Sequence, residues 1–222
     1  MNLISNNSYL IIFDVGSHIG KTIKIYKSIF PKSKIYGFEP SKDSYQILLN
    51  KFADDKDILI SDYALSNDCK IKTLFLSSSD KLNSLKKPNK RAWGFEKSER
   101  VKVQTITIDD FCNENNIYHI GILKLDVQGS ELDVLEGAKS MLSAGRIDLI
   151  YIEWQVVPLY ENHSLYYEIG NYLGQFGYEL FNLYNINEAR SGQIRWADAI
   201  FTNKKIRQKL ITTLGEGQGS GW

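Results

Sequence analysis

At 222 residues the chain is long enough for one ordinary α/β domain with a sizeable core, and a hydrophobic content of 43% fits a globular protein. A net charge of +1 implies no general attraction to nucleic acid or membrane, and no apolar run is long enough to span a bilayer. The start, Met1 to Ser8, lacks the features of a signal peptide, and Cys69 and Cys112 sit in no metal or redox spacing, so free thiols in a reducing cytoplasm are expected.

The first apolar run, from Leu10, ends in Asp14 and a glycine-bearing turn, after which Ile19, Ile23, Tyr26, Ile29 and Phe30 fall on one helical face. This reads as strand, tight turn and helix, with the turn's amide N–H groups expected to point into a crevice at the strand's carboxyl end. Gly16 suits backbone angles that a side chain forbids, and Gly20 suits a close approach of the helix start to the strand. The spacing is Asp-x-Gly-x-x-x-Gly, whereas pyrophosphate-binding turns need Gly-x-Gly-x-x-Gly. Asp14 stands in the place of the first glycine, where a carboxylate is poor for pyrophosphate and good for a cation. S-adenosylmethionine carries a sulfonium and an amino group and no phosphate, so the turn points to a methyl donor rather than to NAD. On this motif alone a turn with no ligand stays open.

Strands and helices then alternate. Lys34 to Pro40 is a second buried strand, and Ser41 is a candidate N-cap for a helix with Tyr45, Leu48, Leu49 and Phe52 on its apolar face. Strand three runs from Ile58 to Leu65, and strand four from Ile120 to Asp126. A capping box, Ser130-x-x-Asp133, opens a helix whose stripe is Leu132, Leu135, Ala138 and Leu142, with Gly145 as its C-cap. Strand five runs from Ile147 to Glu153, and a helix follows over about 164–176.

The alternation ends with two strands, Tyr178 to Tyr184 and Ala197 to Thr202, joined by a polar segment carrying Gly192. Without a crossover helix they must pair antiparallel. The expected sheet order is 3-2-1-4-5-7-6 with strand 7 reversed and helices on both faces, a layout that resembles class I methyltransferases. Residues 1–203 are expected to form a single domain and residues 204–222 a flexible C-terminal extension.

Residues 66–111 are an inserted strand–loop–strand segment, with strands Lys70 to Leu76 and Val101 to Ile108. The intervening loop is polar and basic, with Lys81, Lys86, Lys87, Lys90, Arg91, Lys97 and Arg100 against Asp80, Glu96 and Glu99. Two readings stand: a solvated surface loop, or an active-site loop that meets an anionic acceptor. Trp93 and Phe95 favour the second.

From Phe13 to about Asn203 the chain resembles the FkbM-type S-adenosylmethionine-dependent methyltransferases. The resemblance rests on Phe13-Asp14-Val15-Gly16-Ser17-His18-Ile19-Gly20, Gly37-Phe38-Glu39-Pro40, Tyr63-Ala64-Leu65-Ser66, Thr107-Ile108-Asp109-Asp110-Phe111 and Leu123-Lys124-Leu125-Asp126-Val127-Gln128-Gly129-Ser130-Glu131. Trp196 to Phe201 resembles the family's closing strand. Two departures are visible: His18 stands where the family usually has Asn, and Gln128 where it usually has Glu. The second removes a carboxylate near the crevice, and no metal ligand is assigned.

Glu39 ends strand two about twenty residues past the turn, where an acidic side chain accepts hydrogen bonds from ribose hydroxyls. The resemblance implies the same role, with Pro40 beside it. Asp14 is expected to hold the methionine amino group, directly or through water, while Gly16, Ser17, His18 and Gly20 supply backbone and turn shape. Asp62, Tyr63 and Ala64 end strand three at the adenine edge, where Asp62 is either an acceptor for the adenine amino group or a turn residue. Asp126 and Gln128 lie between donor and acceptor.

Methyl transfer needs the acceptor in line with the C–S bond and, for a hydroxyl acceptor, a group that removes its proton. Candidate bases are Asp126, Glu153, Glu131 and His163; Glu131 has the alternative of charging a helix start, and His163 of preceding a helix. The resemblance implies O-methylation of a sugar, glycan or other small natural product. A nicotinamide-dependent oxidoreductase and a non-catalytic cofactor-binding module are the competing classes.

Overall fold

The computed structural model describes residues 9–78, 82–90, 92 and 99–214. Its main sheet has seven strands: β1 (Ile11–Val15), β2 (Lys34–Phe38), β3 (Ile58–Ser61), β7 (Ile120–Leu125), β8 (Ile147–Gln155), β9 (Tyr178–Glu188) and β10 (Ile194–Asn203). Their order is β3-β2-β1-β7-β8-β10-β9. Counted along these strands alone, that is the predicted 3-2-1-4-5-7-6. The pairs from β3 to β8 are parallel, and β10 is antiparallel to both β8 and β9. A tight turn closes the β9–β10 hairpin, with Ala189 N donating to Gln193 O and Gly192 N to Ala189 O. Too little chain is left there for the crossover that a parallel pair requires.

The apolar strands bury both faces. Ile12 and Phe13 are both fully buried and point to opposite sides of β1. Ile12 packs with Ile23 of α1 (Lys21–Ile29), Ile35 and Leu48 of α2 (Lys42–Lys51). Phe13 packs with Tyr36, Phe38 and Phe111, the last from α3 (Ile108–Glu114), at ring-centroid distances of 5.2 to 5.7 Å. Ile29 and Leu49, expected on apolar faces, are 45% and 36% exposed.

Several local expectations are corrected. Strand three does not reach Leu65: β3 stops at Ser61, and Ala64–Leu65 (β4) joins a second sheet of order β4-β6-β5 with β5 (Ile71–Leu76) and β6 (Glu99–Ile106). The inserted segment supplies a new partner there, with Ala64 opposite Thr105. β6 ends at Ile106 because the Thr107 hydroxyl accepts from Asp110 N and caps α3, a helix absent from the sequence reading.

The helix predicted after Ser130 is two pieces, α4 (Glu131–Glu136) and α5 (Lys139–Ser143). They break at Gly137, where a Cβ would stand 2.1 Å from the Ser66 carbonyl oxygen. The predicted capping box does not form: the Ser130 side chain makes no cap, and Asp133 pairs with Lys86 at 2.7 Å. Gly145 does end α5, at φ +60°, with Arg146 N donating to Met141 O and Gly145 N to Leu142 O.

After β8, residues 156–165 lead to α6 (Tyr166–Gly174). The first part of the extension expected to be flexible is helical: α7 (Lys204–Leu214) starts where Asn203 Oδ1 accepts from Ile206 N. Residues 215–222 lie outside the described residues. Among the described residues no helix is long and apolar enough to cross a membrane.

Candidate functional site

A cleft of about 490 Å³ lies across the carboxyl ends of β2, β1, β7 and β8. Parallel strands bring their carboxyl ends to one side of a sheet, and the turns leaving them open a crevice there. β10 runs the other way, so it brings its start to the same side, and Trp196 lines the cleft.

The β1–α1 turn forms one wall. Gly16, at φ +76°, faces the Asp126 carbonyl oxygen so closely that a Cβ would stand 1.9 Å from it. The turn's amides do not face the crevice as expected. Gly16 N and Ser17 N donate to Phe38 O at 3.0 and 3.1 Å, His18 N to Glu39 Oε2 at 2.8 Å, and Gly20 N to Ser17 O at 2.8 Å. The end of β2 therefore takes the donors that a phosphate would need. Glu39 lines the cleft but is only 7% exposed, and its Oε1 accepts from Ser41 N at 2.9 Å. Burial pushes its pKa up, against the amides of Ser41 and His18 and the Lys124 charge.

Beneath the floor, Asp14 is fully buried and does not line the cleft. Lys124, in the middle of apolar β7, places Nζ 3.1 Å from Asp14 Oδ1 and 3.6 Å from Asp126 Oδ2. The ammonium donates to the carbonyls of Gly16 and Val15 instead, so neither Asp14 oxygen receives a hydrogen bond of good geometry. Burial opposes the Lys124 charge, but Asp14 and Asp126 outweigh it and hold its pKa above the ordinary lysine value. Burial raises the Asp14 pKa against the pull of Lys124. Direct contact of Asp14 with a ligand in the cleft, as the sequence reading allowed, is not available in this arrangement.

At the other end, Gln128 joins two candidate bases. Its Nε2 donates to Asp126 Oδ1 and to Glu153 Oε2, each at 2.9 Å. Gln155 Nε2 donates to the same Glu153 oxygen at 2.9 Å. Burial pushes the Glu153 pKa up to about 8, helped by Asp126, Glu131 and Asp198 and opposed by Gln155. Asp126, Gln128, Glu153 and Gln155 all line the cleft.

The family model for the methyltransferase FkbM domain matches residues 14–180, most of the chain. The chain belongs to the FkbM methyltransferase family. The 2-O-methyltransferase NoeI of Sinorhizobium fredii (strain NBRC 101917 / NGR234) is 25% identical over 166 residues, covering 68% of this chain and 65% of that protein. Methyltransferase 1 of Beauveria bassiana (strain ARSEF 2860) is 26% identical over 142 residues, 57% of either protein. The chain thus spans less than two thirds of the length of these curated relatives. Its fold is similar to that of Aeropyrum pernix fibrillarin, solved in complex with natively bound S-adenosyl-L-methionine, with a TM-score of 0.50 at 15% identity, covering 91% of this chain and 69% of that one.

In this FkbM-family chain the cleft gathers Gly16, Ser17, His18, Glu39, Pro40, Tyr63 and Ala64 at one end, with Asp126, Gln128 and Glu153 at the other. Five sequence candidates stay outside its lining. Asp14 is the first. Gly20 packs the start of α1 on α2, its absent Cβ 2.5 Å from Phe52 and 2.8 Å from Leu48, and not on the strand as predicted. Asp62 is exposed beyond the end of β3. Glu131 is 2% exposed and clamps the turn after β7, accepting from Val127 N at 3.1 Å and Gly129 N at 3.0 Å. Burial pushes its pKa up to about 7. His163 stacks on Tyr160 behind Gly129, and burial pushes its pKa down to about 4.

Of the basic loop, Leu82, Asn83 and Leu85 line the cleft. The Ser84 hydroxyl donates to Gln128 O at 2.6 Å, and Asn89 N donates to Leu159 O. Lys86 and Lys87, however, pair with Asp133 and Glu161. Trp93 and Phe95 lie outside the described residues.

Lys124, Gln155 and Trp196 are cleft residues to which the sequence reading gave no role. A lone lysine in Ile-Gly-Ile-Leu-Lys-Leu signalled the first. Strand alternation from Glu153 signalled the second. Trp196 depends on the register of a reversed strand and carried no signal.

Proposed function

We propose that this FkbM-family chain is an S-adenosylmethionine-dependent O-methyltransferase whose acceptor is a hydroxyl of a sugar, glycan or other small natural product. The observation that carries the reading is the end of β2, where Phe38 O and Glu39 take the turn amides that a pyrophosphate would need. That leaves a nearly buried carboxylate in the wall, suited to ribose hydroxyls, while the turn amides it and Phe38 O engage are not offered to a pyrophosphate. Glu39 and Pro40 would hold the ribose end, and Tyr63 and Ala64 the adenine edge. The wall formed by Gly16, Ser17 and His18 would meet the methionine portion, with Asp126 and Gln128 toward the methyl. The buried Asp14 carboxylate lies beneath this wall, paired with the Lys124 ammonium.

When bound there, S-adenosylmethionine supplies a methyl group made electrophilic by its sulfonium. The chain's part is positioning and proton transfer. Glu153, its Oε2 fixed by two amide donors, would take the acceptor hydroxyl proton; a carboxylate with a pKa of about 8 is matched to that task near neutral pH. Leu82, Leu85 and Leu159 would exclude water from the reacting end. The name of the relative NoeI, a 2-O-methyltransferase, supports a hydroxyl acceptor.

The test is calorimetry of the purified chain with S-adenosylhomocysteine and with NAD, followed by an acceptor screen reading released S-adenosylhomocysteine. Binding of S-adenosylhomocysteine and not NAD, then turnover on a hydroxylated acceptor, is expected. NAD binding without S-adenosylhomocysteine binding would refute the proposal. Tight cofactor binding with no turnover on any acceptor would favour a non-catalytic module.

A further inference from the structure

We infer that Gln128 is a positioning residue: its one side-chain amide aims the Glu153 carboxyl so that Oε1 takes the acceptor proton, and Tyr160 and Ser84 hold Gln128 in that pose. This rests on the methyltransferase reading above and deepens it. Gln128 has a left-handed backbone, at φ +54°, which is uncommon for a residue with a side chain. Such a conformation is costly and persists where its surroundings enforce it. Gln128 is only 7% exposed, yet it lines the cleft.

Both hydrogens of the Gln128 amide are used, one on Asp126 Oδ1 and one on Glu153 Oε2. Gln155 Nε2 donates to the same Glu153 oxygen, so two N–H groups point at Oε2. An oxygen with two donors is a poor place for a proton, so the proton that Glu153 mostly holds at neutral pH sits on Oε1. Oε1 has no hydrogen-bond partner among the described residues and stays accessible where Glu153 lines the cleft. In the ionised fraction the acceptor proton moves to Oε1. Its bonding pair stays on the acceptor oxygen, and the carboxylate becomes the neutral acid. The two amides bond to the ionised form and favour it. A carboxyl at position 128 has at most one hydrogen to offer where two are needed.

Two other segments fix the amide. The Tyr160 hydroxyl is 3.2 Å from Gln128 Oε1 and 3.2 Å from Leu82 O. The Ser84 hydroxyl donates to Gln128 O at 2.6 Å, and Ser84 is itself tied to Phe75 through its backbone N–H and carbonyl. Tyr160 and Ser84 are both buried, and through these bonds each acts on Glu153 by way of Gln128. The charges facing Glu153 come from Asp126 after β7, Glu131 of α4 and Asp198 of β10, which all push its pKa up, while Lys124 of β7 stands by Asp126. Gln128 is thus the neutral donor set between two carboxyl groups.

The test follows the Glu153 carboxyl by carbon NMR in the full chain carrying carboxyl-labelled glutamate, the signal being assigned by its loss in Glu153→Gln. The parent signal should titrate at about 8. Gln128→Leu should raise that midpoint by about one unit, a tenfold change in proton affinity. Gln128→Glu should raise the upper midpoint of the coupled carboxyls by at least about as much. Tyr160→Phe should move the midpoint in the same direction, because it frees the Gln128 amide to turn. With the hydroxyl acceptor found in the screen above, Gln128→Leu should lower kcat at pH 7 about tenfold, shift the pH profile upward and change the acceptor KM less than about threefold. Amide NMR spectra show whether each variant folds; should Gln128→Leu not fold, Gln128→Glu and Tyr160→Phe carry the test. An unchanged Glu153 titration in the folded variants, or a kcat loss with no shift of the pH profile, would overturn the inference. Failure to bind S-adenosylhomocysteine leaves the titration readable and removes only the methyltransferase reading beneath it.

Discussion

Replacing Glu153 by Gln tests the proton-transfer role most directly. The Glu153 carboxyl titrates at about 8, so at pH 7 only about a tenth of the chains carry the ionised form, and at pH 6 about a hundredth. If Glu153 is the base, kcat/KM for the acceptor should rise about tenfold between pH 6 and 7 and level off above 8. Glu153→Gln should lower the plateau by about 10²–10⁴-fold and remove the slope. The gap between the two proteins should therefore narrow as the pH falls.

The same group predicts a stability signature that needs no acceptor. Its folded pKa lies above the ordinary value of 4.5, so the folded chain holds a proton that the unfolded chain releases. Its contribution is fully present below pH 4.5 and is lost as the pH rises through about 8, at about 1.4 kcal/mol per tenfold change in proton affinity. Thermal melts at pH 5 and pH 8.5 should show this fall in the parent and a smaller one in Glu153→Gln. A flat parent rate profile, or full activity in a folded Glu153→Gln, would move the base to Asp126 or show that none is needed.

Three further outcomes are expected. Glu39→Ala should weaken S-adenosylhomocysteine binding by roughly 1.5–3 kcal/mol, read by calorimetry, with the fold retained because the residue lies at a strand end. Gly16→Ala should cost at least about 1–3 kcal/mol in urea unfolding from its left-handed backbone alone, since the new Cβ also meets the Asp126 carbonyl; a neutral result would mean that this wall gives way. Lys124→Met should cost about 3–5 kcal/mol by leaving Asp14 buried without its cation, and Asp14→Asn in the same chain should recover part of that loss; no recovery would place the lysine's importance in its bonds to the turn carbonyls.

The strands of the main sheet were legible in the sequence because each contains an apolar run, and their order was expected from the resemblance to class I methyltransferases, although the helix before β7 was not read. The reversed last strand followed from a connection with no helical pattern. The motif Asp-x-Gly-x-x-x-Gly marked the cleft, and spacing alone put Glu39 at its edge. Tertiary contact decided what these residues touch. Asp14 reads as a ligand group in the sequence but lies beneath the floor, because Lys124 reaches it from β7 more than a hundred residues later. Glu131 and His163 read as bases, yet one clamps the backbone after β7 and the other packs behind Gly129. The acceptor end was the least legible part. Gln128, Glu153, Gln155 and Trp196 meet there through hydrogen bonds and strand register between distant segments. Local periodicity records which side of a strand a residue takes, but which residue stands opposite is set only when the strands pair.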